Sequence, residues 1–72
     1  MAHILRLRLK ELLKERGMDQ LTLSQRTGLT TRTISELCNN KVQRYPKKAL
    51  EIIANELELK DINELLTFIE ED

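Results

Sequence analysis

Four side chains within a short polar stretch, Thr31, Arg32, Ser35 and Glu36 in TTRTISELCNN, are the ones with chemistry to offer. On a helix advancing about 100° per residue, Ile34, Leu37 and Cys38 turn to one side. Arg32, Glu36 and Asn39 point most directly to the other, with Thr33 and Ser35 on the flanks and Thr31 at the N-terminal end. The outward face carries hydrogen-bond donors and acceptors and no large apolar residue. An arginine fork matches guanine O6 and N7, and a glutamate accepts from cytosine N4, so this face suits the edges of base pairs in a major groove. Arg32 and Glu36 are also four residues apart and suited to pair with each other for about 0.2–0.5 kcal/mol. Such a pair in the free chain does not exclude base readout on binding.

Such a face needs a scaffold, and the flanking residues describe one. Asp19 is a good N-cap for a helix from Gln20 to Thr27, which Gly28 ends by accepting positive φ. Leu29 follows as a buried turn residue, and Thr30 caps the next helix, Thr31 to Asn39. Asn40 suits the left-handed position after it. Two short helices crossing through a tight turn form a helix-turn-helix, the pair meeting at about 90–120°. Ser24 supplies the small residue where the backbones approach, and Leu23, Leu29, Ile34 and Leu37 hold the second helix against the rest.

Around this pair the chain reads as support. Leu5, Leu7 and Leu9 alternate with Arg6, Arg8 and Lys10, a strand signal, while Leu5, Leu9, Leu12 and Leu13 also share a helical stripe. The compromise is an extended lead-in followed by a helix from residue 7 or 8 to Arg16, ended by Gly17. After the basic loop of residues 41–45, Pro46 fits the first turn of a fourth helix bearing Leu50, Ile53, Ala54 and Leu57 at core spacing. Asp61 with Glu64 makes an acidic capping box for a last helix whose stripe is Ile62, Leu65, Leu66 and Ile69. Glu70, Glu71 and Asp72 are expected to fray at that helix's C-terminus, where negative charge opposes the macrodipole. The expectation is an all-α, five-helix single domain spanning residues 1–72.

Composition narrows the function. Seventy-two residues, 40% apolar and with Tyr45 and Phe68 as the only Tyr, Phe or Trp, allow one small Leu/Ile core. One cysteine, Cys38, makes no internal disulfide, and with the single His3 it makes no zinc site; this fits a reducing cytoplasm. Neither an apolar run long enough for a bilayer nor a signal peptide is visible. The formal net charge of zero hides a split. Residues 1–48 hold eleven Lys/Arg against four acids, and residues 49–72 hold one Lys against eight acids. A basic working surface and an acidic far side follow. No nucleophile–base pair, paired carboxylate site, phosphate-binding glycine loop or metal cluster can be assembled, so neither an enzyme nor a cofactor is expected.

With these residues in place, the segment resembles the helix-turn-helix of the phage repressor and Cro-like, or XRE-type, family. The matching residues are Gln20, Leu23, Ser24, Gly28, Leu29, Ile34 and Leu37, and LKELLKERGM before the motif and DINELL near the end resemble small stand-alone members. The resemblance implies double-stranded DNA as the partner, with Thr31, Arg32, Ser35 and Glu36 reading bases. It implies phosphate contacts from Gln20, Thr33, Asn39, Lys41, Gln43 and Arg44, with Lys47 and Lys48 adding attraction. Ser24 stands where the family more often has alanine. Leu13 and Cys38 stand where many relatives carry a buried Arg–Glu pair, an exchange that apolar packing tolerates.

Cys38 reads better as a small core residue than as a reactive thiol, and His3 as an exposed terminal residue. Tyr45 either stacks under Pro46 or touches a phosphate. Phe68 lies beside Leu65 and off the stripe of the last helix. It either packs at the edge of its own core or joins Leu65 and Ile69 in a homodimer contact, which would present two recognition helices about 34 Å apart to a near-palindromic operator. Two functions compete: a sequence-specific transcriptional regulator, and a protein-interaction module of antitoxin or anti-repressor type whose acidic C-terminal half docks a partner.

Overall fold

The computed structural model describes residues 2–71, with side chains from 3 to 70. Strand β1 (Ala2–Leu7) leads into helices α1 (Leu9–Glu15), α2 (Gln20–Thr27), α3 (Thr31–Cys38) and α4 (Lys47–Glu56). A short 3-10 turn at Ile62–Glu64 then delivers the chain to strand β2 (Leu66–Glu71). The two strands pair antiparallel, Leu7 opposite Leu66 and Leu5 opposite Phe68, so the ends of the described chain lie side by side. No helix among the described residues is long and apolar enough to cross a membrane.

The five-helix, all-α expectation is therefore corrected to four α-helices and a two-stranded sheet. Two readings change together. The alternation of Leu5 and Leu7 with Arg6 and Arg8 is a strand after all, and a strand needs a partner. That partner is the segment expected to be the last helix. Ile62, Leu65, Leu66 and Ile69 have helical spacing, but LLTFI is also rich in the aromatic and β-branched residues that strands favour. The Asp61–Glu64 capping box does form: the Asp61 side chain accepts from the Asn63 N–H at 2.9 Å, and Glu64 reaches back to the Asp61 N–H at 3.4 Å. It caps a single 3-10 turn and no more. The expected helical fraying of Glu70 and Glu71 lapses because both lie on β2, and Asp72 lies outside the described residues.

The core is mostly aliphatic. Leu9, Leu12 and Leu13 from α1, Leu23 from α2, Ile34, Leu37 and Cys38 from α3, and Ile53 from α4 are buried together with Leu57. Leu7 and Leu65 carry the same core into the base of the sheet. Further out the sheet is open: Leu5, Phe68 and Ile69 are all exposed. Helix ends form as the local residues dictate. Asp19 and Thr30 cap α2 and α3 by accepting from the N–H groups of Thr22 at 2.7 Å and Thr33 at 3.1 Å. Gly28 takes φ 79° after α2.

Asn40 has the expected left-handed backbone, φ 55°, and a role that its backbone alone does not reveal. Its Oδ1 accepts from the Leu7 N–H at 2.7 Å, and its Nδ2 donates to the Leu7 carbonyl at 3.1 Å. One side chain thus occupies both outward backbone groups of a strand residue and ties the end of α3 to β1. Substitutions separate the two roles. Asn40→Gly keeps the left-handed backbone and loses both bonds, which should cost about 1–3 kcal/mol. Asn40→Ala adds about 1–2 kcal/mol of left-handed strain. Urea unfolding should rank the variants wild type, then glycine, then alanine; alanine matching wild type would remove the tie.

Candidate nucleic-acid interface

Helix α3 presents the expected polar face. Ile34, Leu37 and Cys38 are buried, Thr31, Arg32, Glu36 and Asn39 are exposed, and Thr33 and Ser35 are half-buried. Arg32 is 88% exposed at its side chain, and its Nε lies 3.9 Å from Glu36 Oε2, a loose surface pair that leaves both groups accessible. At the far end Asn39 Nδ2 donates to Ser35 Oγ at 3.4 Å. Thr33 is less free than its neighbours, because Thr30 Oγ1 donates to its hydroxyl at 2.9 Å while accepting its backbone N–H.

The crossing of α2 and α3 is held by more than small size. The Ser24 hydroxyl donates to the Leu29 carbonyl, and Thr27 Oγ1 accepts from the Leu29 N–H at 3.2 Å while donating to Leu23. Both backbone groups of the turn residue Leu29 are thereby satisfied by side chains of α2. Serine at this position therefore contributes a bond that alanine lacks.

The expected phosphate residues fall at both ends of this pair. Gln20 is the first residue of α2, half-buried behind the Asp19 cap, whose carboxyl the Thr22 backbone N–H holds below its usual range. Lys41, Gln43 and Arg44 are exposed in the loop after α3. Lys48 is exposed at the start of α4. Lys47 is engaged at 2.7 Å with Glu51, and that bond holds the Glu51 carboxyl below its usual range. Two cations missing from the sequence reading adjoin Gln20: Lys10 and Lys14 of α1 border one shallow hollow with Gln20, Met18 and Cys38. Only the spatial approach of α1 to the start of α2 reveals them, since their own spacing is that of an ordinary solvated helix face.

Other residues settle differently. Tyr45 takes neither expected role; its hydroxyl donates to the Leu5 carbonyl at 3.2 Å. Cys38 lies in the core with Leu13, and burial pushes its thiol up, with Lys10 opposing and Glu11 adding. It is a neutral packing group. His3 is exposed as expected, edge-on to the Phe68 ring with centroids 5.7 Å apart. Phe68 is 64% exposed on β2, so it does not pack into its own core. Leu65 is 1% exposed and has no surface to offer a second chain, while Ile69 lies beside Ile4 on the sheet face opposite Phe68.

The turn makes a measurable prediction. Ser24→Ala, although it restores the small residue commoner among resembling chains, should destabilise this one by about 0.5–1.5 kcal/mol by leaving the Leu29 carbonyl with one fewer partner. Equal or greater stability on urea unfolding would show that the hydroxyl contributes nothing.

A search of curated proteins and a search of solved structures returned no match. The model of the Cro/C1-type helix-turn-helix DNA-binding domain matches residues 8–71. That span contains all four helices and β2. Nearly the whole chain is covered, and the chain belongs to the Cro/C1-type helix-turn-helix DNA-binding family.

Proposed function

We propose that this DNA-binding chain is a sequence-specific transcriptional regulator that acts as a homodimer on a near-palindromic operator. The observation that supports it most directly is the polar, freely exposed outer face of α3, whose inner face is fully committed to the core. In this reading α3 enters the major groove. Arg32 and Glu36 exchange their loose mutual contact for base edges, while Thr31 and Ser35 add shorter contacts. Gln20, Thr33 and Asn39, with Lys41, Gln43 and Arg44 in the following loop, fix the register on phosphates. Lys10 and Lys14 extend the phosphate track beside Gln20, and Lys47 and Lys48 add longer-range attraction. The acidic residues gathered after Lys48 keep the far side from competing for the polyanion.

The charge split also supports a second reading, in which the acidic C-terminal half docks a protein and DNA contact is secondary. Salt separates the two. A regulator's affinity for random duplex should fall steeply with salt, with a log–log slope of about −0.9 per phosphate contacted. No duplex binding even at low salt would favour the protein-docking reading.

The base-reading assignment has its own test. After operator selection from a random duplex pool, Arg32→Ala should weaken binding to the selected site by about 1–3 kcal/mol and relax preference at one base position. Lys41→Ala should instead weaken all duplexes alike and flatten the salt slope. An Arg32→Ala chain with unchanged discrimination at every position would refute the assignment.

A further inference from the structure

The two edges of the small sheet are treated unequally. Leu7 gives both of its backbone groups to the Asn40 side chain, so the pair Leu7–Leu66 is one that turns away from the ladder. The adjoining Arg8 N–H donates to the Leu65 carbonyl at 2.6 Å, as the alternation of an antiparallel ladder requires. By the same alternation Leu5–Phe68 and His3–Glu70 also turn outward. On β1 that outer edge is covered: Asn40 occupies Leu7, and the Tyr45 hydroxyl occupies the Leu5 carbonyl. On β2 the outward groups of Leu66, Phe68 and Glu70 meet, among the described residues, only the Thr67 hydroxyl, 3.4 Å from the Phe68 carbonyl.

An open strand edge is a template for another strand. Natural edges are commonly blunted by lysine or proline, and LLTFI contains neither. The same edge borders an apolar groove of about 390 Å³ lined by Leu5, Ile62, Leu66 and Phe68 with Asn63 and Thr67. Ile62 is 59% exposed within it.

We infer that β2 is the self-association edge of this chain, pairing antiparallel with β2 of a second copy about a two-fold axis at Phe68. That register sets Phe68 opposite the partner's Phe68 and Leu66 opposite the partner's Glu70, and uses all three outward N–H and all three outward carbonyl groups on each strand. The result is one four-stranded sheet with β2 and its copy at the centre and the covered β1 edges outside. Charge selects the orientation. Antiparallel pairing keeps each Glu70 about 14 Å along the strand from its counterpart, beyond the screening length of about 8–10 Å. Parallel pairing would place the two acidic ends side by side. Each Phe68 ring then lies against the other at the mouth of the groove, covering apolar surface that a lone chain exposes. The inference deepens the homodimer reading of the proposed function, but its readout does not depend on DNA.

The test uses the full chain, labelled with ¹⁵N, in sedimentation and amide-exchange measurements from micromolar to millimolar concentration. The expected result is a dimer whose Leu66, Phe68 and Glu70 amides exchange slowly, with that protection lost on dilution. Glu70→Pro removes one outward N–H while sparing the pairing with β1. It should halve the sedimenting mass and leave the helical circular dichroism unchanged. Phe68→Ala keeps the backbone and should weaken self-association without unfolding the helices. A wild-type chain that stays monomeric at millimolar concentration would overturn the interface. So would a dimer whose three amides exchange freely, or a Phe68→Ala chain that associates as tightly as wild type. Edge dimerisation without any duplex binding would support the interface while defeating the DNA reading. Duplex binding through α3 by a chain that never dimerises would do the reverse.

Discussion

The side-chain amide of Asn40 makes two hydrogen bonds to the backbone of Leu7, and the rest of the arrangement depends on them. Asn40 follows α3 directly, and Leu7 is the last residue of β1. The carboxamide therefore takes the place of a third strand and anchors the end of the polar-faced helix to the sheet. It also closes the β1 edge, leaving β2 as the open one. Side-chain size matters here. Among residues that tolerate φ near 55°, asparagine alone offers a donor and an acceptor at this reach; glycine offers neither, and an ionised aspartate only accepts.

Around that tie the helices obey local rules. Asp19 and Thr30 satisfy the first turns of α2 and α3, Gly28 and Asn40 end them, and Ser24 with Thr27 saturates the turn residue Leu29. With its inner face buried and its ends capped, α3 has few ways to shift. A rigid polar face is what base readout needs, because contacts displaced by an ångström lose their geometry. The exposed cations lie before and after this helix, while much of the acidic charge lies on α4, the 3-10 turn and β2.

The parts legible in the sequence are those decided within a few residues. Helices α1 to α4, the crossing residues and the outward set Thr31, Arg32, Ser35 and Glu36 follow from caps, glycine and apolar spacing, and the structure places them accordingly. The C-terminal segment was not legible, for a physical reason. Ile62, Leu65, Leu66 and Ile69 fit a helical stripe as well as a half-covered strand. What decides is pairing with residues at the opposite end of the chain, from Ala2 opposite Glu71 to Leu7 opposite Leu66. The alternation of Leu5 and Leu7 with arginines did signal a strand, but a lone strand has no use for its backbone groups. Pursuing where those groups bond would have pointed to LLTFI. Lys10 and Lys14 escaped for a similar reason, since their nearness to Gln20 is tertiary.

The claim that α3 is the DNA-contacting element can be tested residue by residue with amide chemical shifts of the labelled chain, recorded while a short selected duplex is added at moderate salt. The account predicts the largest changes from Thr31 to Asn39, with a second set at Gln20 and the loop from Lys41 to Arg44, and little change on the buried face of α4. Changes concentrated on α4, the 3-10 turn and the outer sheet, with α3 undisturbed, would contradict it.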